Sequence, residues 1–195
     1  MATRATRQQI VEAADNLFYG QGYAQTSFAD IAAAVKISRG NFYYHFRTKD
    51  EILDAVIEKR LADREALLAK WDETATSPAG RIECFIRIVI VNQTKIMAYG
   101  CPVGTLITEL TKLGHVSRNK AGEIMAVFRD WLVRQFEELG CSAEEAEENA
   151  LHVLSWSQGV ATLAQTFKDE AFVGREIGQI LNWLREVEEK TGGRV

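Results

Sequence analysis

The 195-residue chain contains two prolines, Pro78 and Pro102. A proline inside a helix removes a hydrogen bond and clashes with the preceding turn, whereas at the first helical position it is tolerated. Both stand where a helix can begin, Pro78 directly after Ser77 and Pro102 shortly after Gly100. Long helical stretches can therefore run uninterrupted around and between them, and the fold class that follows is all-α. Starts of a second kind recur along the chain as a hydroxyl residue followed three positions later by a carboxylate or amide: Thr6 with Gln9, Thr48 with Glu51, Ser142 with Glu145. The hydroxyl accepts from a free N–H of the first turn and the later side chain reaches back to cap another.

Apolar residues recur at helical spacing between these starts. About nine helices are predicted, near 7–20, 27–35, 39–46, 49–74, 78–98, 102–112, 117–139, 143–167 and 172–190. Stripes such as Phe85, Ile88, Val89 and Ile96, or Met125, Phe128, Leu132 and Phe136, suit a bundle core. With 47% apolar and 26% charged residues the composition is that of a soluble globular protein. No apolar run approaches the roughly 20 residues of a membrane span, and the basic start leads into an amphipathic helix rather than a signal sequence. The expected compartment is the cytoplasm, with no membrane partner. Cys84, Cys101 and Cys141 are odd in number and far apart, which gives neither a disulfide framework nor a zinc-ligand pair. No metal and no cofactor are called for.

The net charge of −4 is unevenly spread. Residues 1–50 hold six basic against four acidic side chains, and residues 51–195 hold seventeen against twenty-three. A basic end on an acidic body can offer one face to phosphates and keep the rest away. The chain divides accordingly into an amino-terminal part, 1–50, and a larger part, 51–195.

Within the first part, residues 26–46 read as two short helices joined by the turn Lys36-Ile37-Ser38. Ile31, Val35, Ile37, Phe42 and Phe46 are spaced to share a small core. Ala32 is small where the helices cross, and Ser38 is placed to cap the second of them. That helix turns Phe42 and Phe46 inward and leaves Arg39, Gly40, Asn41, Tyr43, Tyr44 and His45 outward or flanking. Arg pairs with guanine, Asn with adenine, and Tyr meets a thymine methyl or a phosphate, so this face suits a major groove. For Tyr43 and His45 the competing role is packing within the small domain.

Thr26-Ser27, Ile31-Ala32, Ile37-Ser38, Gly40, Tyr43, His45-Phe46 and Lys49, with the lead-in Leu17-Phe18 and Gly22-Tyr23, resemble the signature of the TetR family of repressors over about residues 7–55. One position departs from the pattern, because Lys36 stands where the turn usually carries Gly or another residue tolerant of a left-handed backbone. The resemblance implies phosphate contacts from Thr26 or Ser27, Tyr44, His45 and Lys49, and base-edge contacts from Arg39, Gly40, Asn41 and Tyr43. Ser38, capping the reading helix, aims free N–H groups at phosphate. Arg4 and Arg7 could reach the DNA as an arm.

For residues 51–195 the resemblance implies a helical domain that dimerises and binds a small-molecule effector of unknown identity. Homodimerisation on a palindromic double-stranded operator doubles what one short helix can read. Candidate dimer residues are Leu151, Leu154, Gly159, Ile177, Ile180 and Leu184, with core packing as the alternative for each. Candidate effector-lining residues are Phe85, Val89, Asn92, Cys101, Trp131 and Gln158, mixing apolar walls with polar handles. Cys101 falls between Gly100 and Pro102, against the positive end of a helix, which makes it either a thiol sensing electrophiles or a small residue at a tight junction. Two other functions compete: a cysteine-dependent enzyme with His115 or His152 as base, and an architectural DNA-binding protein without an effector.

Overall fold

The computed structural model describes residues 2–192, other than the side chains of residues 2–4 and Arg39. The described residues form ten helices and no strand: α1 (Ala2–Gln21), α2 (Phe28–Val35), α3 (Arg39–His45), α4 (Lys49–Thr74), α5 (Pro78–Val91), α6 (Gln93–Tyr99), α7 (Pro102–Lys112), α8 (Arg118–Glu138), α9 (Ala143–Phe167) and α10 (Glu170–Gly192). Both prolines open helices. The stretch 78–98 is two helices rather than one. At Asn92 the side-chain amide donates to the carbonyl of Ile88 at 2.9 Å, and its backbone departs to φ −104°, ψ 12°. A short amide competing for a helical carbonyl ends α5 there.

The capping signals divide in the same physical way. Ser142 and Glu145 form the reciprocal box, and the N–H of Glu51 donates to Thr48 at 3.1 Å. The Glu51 carboxylate accepts from the N–H of Arg47 instead of closing the box on Thr48. Thr6 lies inside α1, which already begins at Ala2, rather than at its start. A box that the sequence reading omitted, Ser27 with Asp30, opens α2; the shorter aspartate does there what glutamate does at position 145.

Two compact units result, one of residues up to 63 together with 105–124, the other of 64–104 and 125 onward. The division differs from the boundary at residue 50, which marks only the end of the helix-turn-helix. In the first unit Ile10, Ala14, Phe18, Ile31, Phe42 and Phe46 are buried together with Ile52, Leu53, Val56 and Ile57 from the start of α4. Arg60, 3% exposed, is paired at 2.7 Å with Asp15 of α1, so the charge that α4 carries into this interior is matched. In the second unit the core joins Phe85, Ile86 and Val89 of α5, Phe128, Trp131 and Leu132 of α8, and the inner faces of α9 and α10.

Between α2 and α3 the backbone of Lys36 is left-handed, at φ 58° and ψ 37°. The departure from glycine noted in the sequence is therefore a real local strain. Lys36→Gly is expected to stabilise the protein by about 1 kcal/mol, read as a higher urea midpoint at unchanged slope.

Candidate nucleic-acid interface

The reading head is built from two capped helices. The hydroxyl of Ser27 accepts from the N–H of Asp30 at 3.2 Å and donates to the Asp30 carboxylate at 2.6 Å. The Ser27 hydroxyl first, and then the Ser27 backbone N–H, which donates to the same carboxylate at 2.8 Å, hold the Asp30 carboxyl below its usual range. Ser38 accepts from the N–H of Asn41 at 3.3 Å and starts α3. Phe42 then turns into the core at 1% exposure, while Tyr43 stands 54% and Tyr44 75% exposed. Asn41 is exposed and His45 half-buried, with the Tyr44 and His45 rings edge to face at 5.2 Å. Arg39 begins α3, but its side chain lies outside the described residues, as does that of Arg4.

Gly40 gives a separate indication. A Cβ placed there would meet nothing within 4 Å, so neither packing nor backbone conformation within the chain asks for glycine. Glycine inside a helix costs roughly 0.5–1 kcal/mol relative to alanine. A bare outward backbone has a use when a partner must approach it closely.

Of the expected phosphate contacts Thr26 is corrected by its burial, and Lys49 is half-buried with two of its three donors engaged within the chain. Thr26 is 1% exposed; its hydroxyl donates to the carbonyl of Gly22 at 2.7 Å and accepts from Gln21 at 3.2 Å. The ammonium of Lys49 donates to the carbonyls of Tyr23 and Thr26 at 2.9 and 3.1 Å and lies 4.2 Å over the Tyr23 ring. Both residues hold the turn between α1 and α2. Arg7, an arm candidate, belongs to α1 and sits 4.8 Å over the Phe46 ring.

The same turn is also held by Glu109, near the end of α7. Its carboxylate accepts the N–H groups of Tyr23 and Ala24 at 2.9 and 2.8 Å. Gly22, at φ 92°, lets it approach: a Cβ there would lie 3.1 Å from the carboxylate. The Tyr23 hydroxyl donates to Asp50 at 2.5 Å and is 3.3 Å from Nε2 of His115. Nδ1 of that histidine accepts from the N–H of Ser117, which leaves the proton of a neutral ring on the side of Tyr23. Burial and then the Asp50 bond push the Tyr23 phenol well up. The Tyr23 bond first, with His115 and Lys49 adding to it, holds the Asp50 carboxyl below its usual range. Sequence reasoning missed this joint, whose contacts from Glu109 and His115 to the turn span 85 to 92 residues.

In the second unit Phe85, Val89 and Trp131 are buried in the core, the Trp131 N–H donating to Asp72 at 3.0 Å. Asn92 is exposed at the α5 terminus and bonded to its own helix, so its place as a lining residue is corrected. Cys101 and Gln158 both lie against Gly104. The Cys101 sulfur accepts from the N–H of Gly104 at 3.4 Å, and a Cβ at position 104 would run into the Gln158 amide oxygen. Of the dimer candidates, Leu154, Ile177, Ile180 and Leu184 are buried in the chain's own core at 7% exposure or less. They are corrected to core; Leu151 and Gly159 remain exposed.

Residues 10–56 match the model for bacterial regulatory proteins of the tetR family, and residues 78–175 match that for the carboxy-terminal domain of LmrA/YxaF-like transcriptional regulators. The transcriptional repressor DhaR of Mycobacterium sp. (strain GP1) is 28% identical over 77% of this chain and 72% of its own length. The regulator LmrA of Bacillus subtilis (strain 168) is 28% identical over 84% of this chain and 88% of its own. A solved TetR regulator from Legionella pneumophila superposes with a TM-score of 0.80 at 25% identity, covering 90% of this chain and 94% of that one. The chain belongs to the TetR family of DNA-binding transcriptional regulators.

Two outcomes follow for the joint. Gly22→Ala is expected to cost about 1–2 kcal/mol, from the left-handed backbone and the displaced carboxylate, and to lower the thermal midpoint. Because the Asp50 pKa is depressed by folding, its contribution is present above the ordinary carboxylate range and lost as pH falls below it. The gap in urea midpoint between wild type and Asp50→Asn should accordingly be widest near neutrality and close in acid.

Proposed function

We propose that the protein is a homodimeric transcriptional repressor that grips a palindromic double-stranded operator through α3 and lets go when a small molecule binds its second unit. The observation that carries this reading is the outward face of α3, where Tyr43 and Tyr44 are exposed beside a glycine that the chain itself does not need. Asn41 and Tyr43, with Arg39, are assigned to base edges, and Ser27, Tyr44 and His45 to phosphates. DhaR is a repressor by name, and that role is taken over here as part of the proposal. A regulator of bacterial genes works in the cytoplasm, beside its operator.

For the dimer, exposed Leu151, Gly159, Leu163 and Phe167 on α9 and exposed Gly174 and Gly178 on α10 offer apolar and small residues at helical spacing, which lets helices of two copies approach closely. For the effector, Phe85, Val89 and Trp131 supply the proposed walls, and Cys101 and Gln158, both beside Gly104, the polar groups. A thiol-reactive effector is the special case in which Cys101→Ser alone abolishes release. The protein is read as a binding protein rather than an enzyme: His115 is engaged by Tyr23 and Ser117, and the ring of His152 lies 4.6 Å from that of Trp183.

The test is a selection of genomic fragments followed by titration of the enriched palindrome. Wild type should bind as a dimer with affinity falling steeply as salt rises, and Tyr43→Ala should weaken specific binding by about tenfold or more while the dimer stays folded. Operator affinity retained by Tyr43→Ala would remove α3 from the groove.

A further inference from the structure

Tyr43 is exposed, yet its ring is not loose. Phe28, the first residue of α2, stacks on it with centroids 5.6 Å apart and planes 18° apart, an offset face-to-face arrangement. Phe42 meets it edge-on at 6.4 Å and 82°. Phe28 itself packs edge-on against Phe42 at 5.0 Å and 67°. The three rings form a closed cluster whose inner member is 1% exposed and whose outer member is 54% exposed. Tyr44, the other exposed tyrosine of α3, has a different setting: its recorded ring contact is with His45, the next residue in the chain.

A tyrosine side chain on an isolated helix samples several rotamers, and fixing one of them on binding has an entropic cost. A ring held on one face and along one edge has met most of that cost before DNA arrives. Phe28 is well placed to do the holding, because its own backbone is fixed by the Ser27–Asp30 capping box at the start of α2. It is half-buried and carries no hydrogen-bonding group. It offers no hydrogen bond to a base edge or a phosphate, so the influence assigned to it here passes through the ring it touches.

The geometry points to Phe28 as a positioning residue that locks the Tyr43 ring in its DNA-reading rotamer and thereby sets specificity at the base pair Tyr43 meets. This rests on the assignment of Tyr43 to the major groove. The chain thus reads with a side chain of α3 whose direction is decided by α2.

A double-mutant cycle on the selected operator tests it, using Phe28→Leu, Tyr43→Ala and the pair. Phe28→Leu keeps apolar volume against Phe42 and removes the stack. It should weaken operator binding by about tenfold, relax preference at one symmetric position of the operator, and leave the salt slope and non-specific binding unchanged. In the Tyr43→Ala background it should cost nothing further, and Phe28→Tyr, which keeps a stackable ring, should restore affinity. Ring proton shifts of Tyr43 in the DNA-free protein should move toward random-coil values in Phe28→Leu, a measurement that holds even if that variant is less stable. Equal losses in both backgrounds would overturn the inference, placing Phe28 in direct contact with DNA or in general stability. If Tyr43→Ala alone binds like wild type, the groove assignment has failed and this inference with it, and the two failures are told apart by that single variant.

Discussion

The clasp on the turn between α1 and α2 is the contact on which the reading head depends. Five residues, Gly22 to Thr26, must reverse the chain and deliver it to the cap of α2, and a turn has few partners for its own polar groups. Here side chains supply them. Glu109 takes two N–H groups, Lys49 gives to two carbonyls, and Thr26 closes the turn upon itself. A carboxylate and an ammonium bonded to one backbone segment form charge-assisted bonds, which are stronger than neutral ones. The placement of Ser27 and Phe28, and through them of α3, follows from that grip.

Local physics explains what the sequence made legible. Proline placement gave the all-helical class, and the period of the apolar residues gave α4, α7 and α9 close to their observed limits, because each is decided within a turn or two of chain. The helix-turn-helix was readable for the same reason: Ile31, Phe42 and Phe46 are a local core, Ser38 is a local cap, and Lys36 carries the left-handed backbone expected of that position. The break at Asn92 was missed because a helix-period stripe runs through it, and only the competing side-chain bond reveals the interruption.

The misassigned residues share a cause. Thr26 was read as a phosphate contact from its chemistry and place in the motif, yet its donor is taken by a carbonyl four residues away. Leu154, Ile177, Ile180 and Leu184 follow helical spacing as faithfully as an interface would, and spacing alone cannot say whether a buried face meets its own chain or a copy of it. Glu109 and His115 were invisible because their significance lies in partners some 90 positions distant, and no local pattern marks them.

The boundary between the compact units falls inside α4, α7 and α8 rather than in a linker. For anyone wishing to transplant the DNA-binding part onto another sensor, the portable cassette is therefore discontinuous in sequence. A graft cut at residue 50 would leave behind Ile52, Val56 and Ile57, which complete its interior, and the 105–124 segment that steadies its first turn. Modularity in this protein is a property of the folded surface, and a recombination that respects it needs two crossovers flanking the second piece as well as one in the middle of α4.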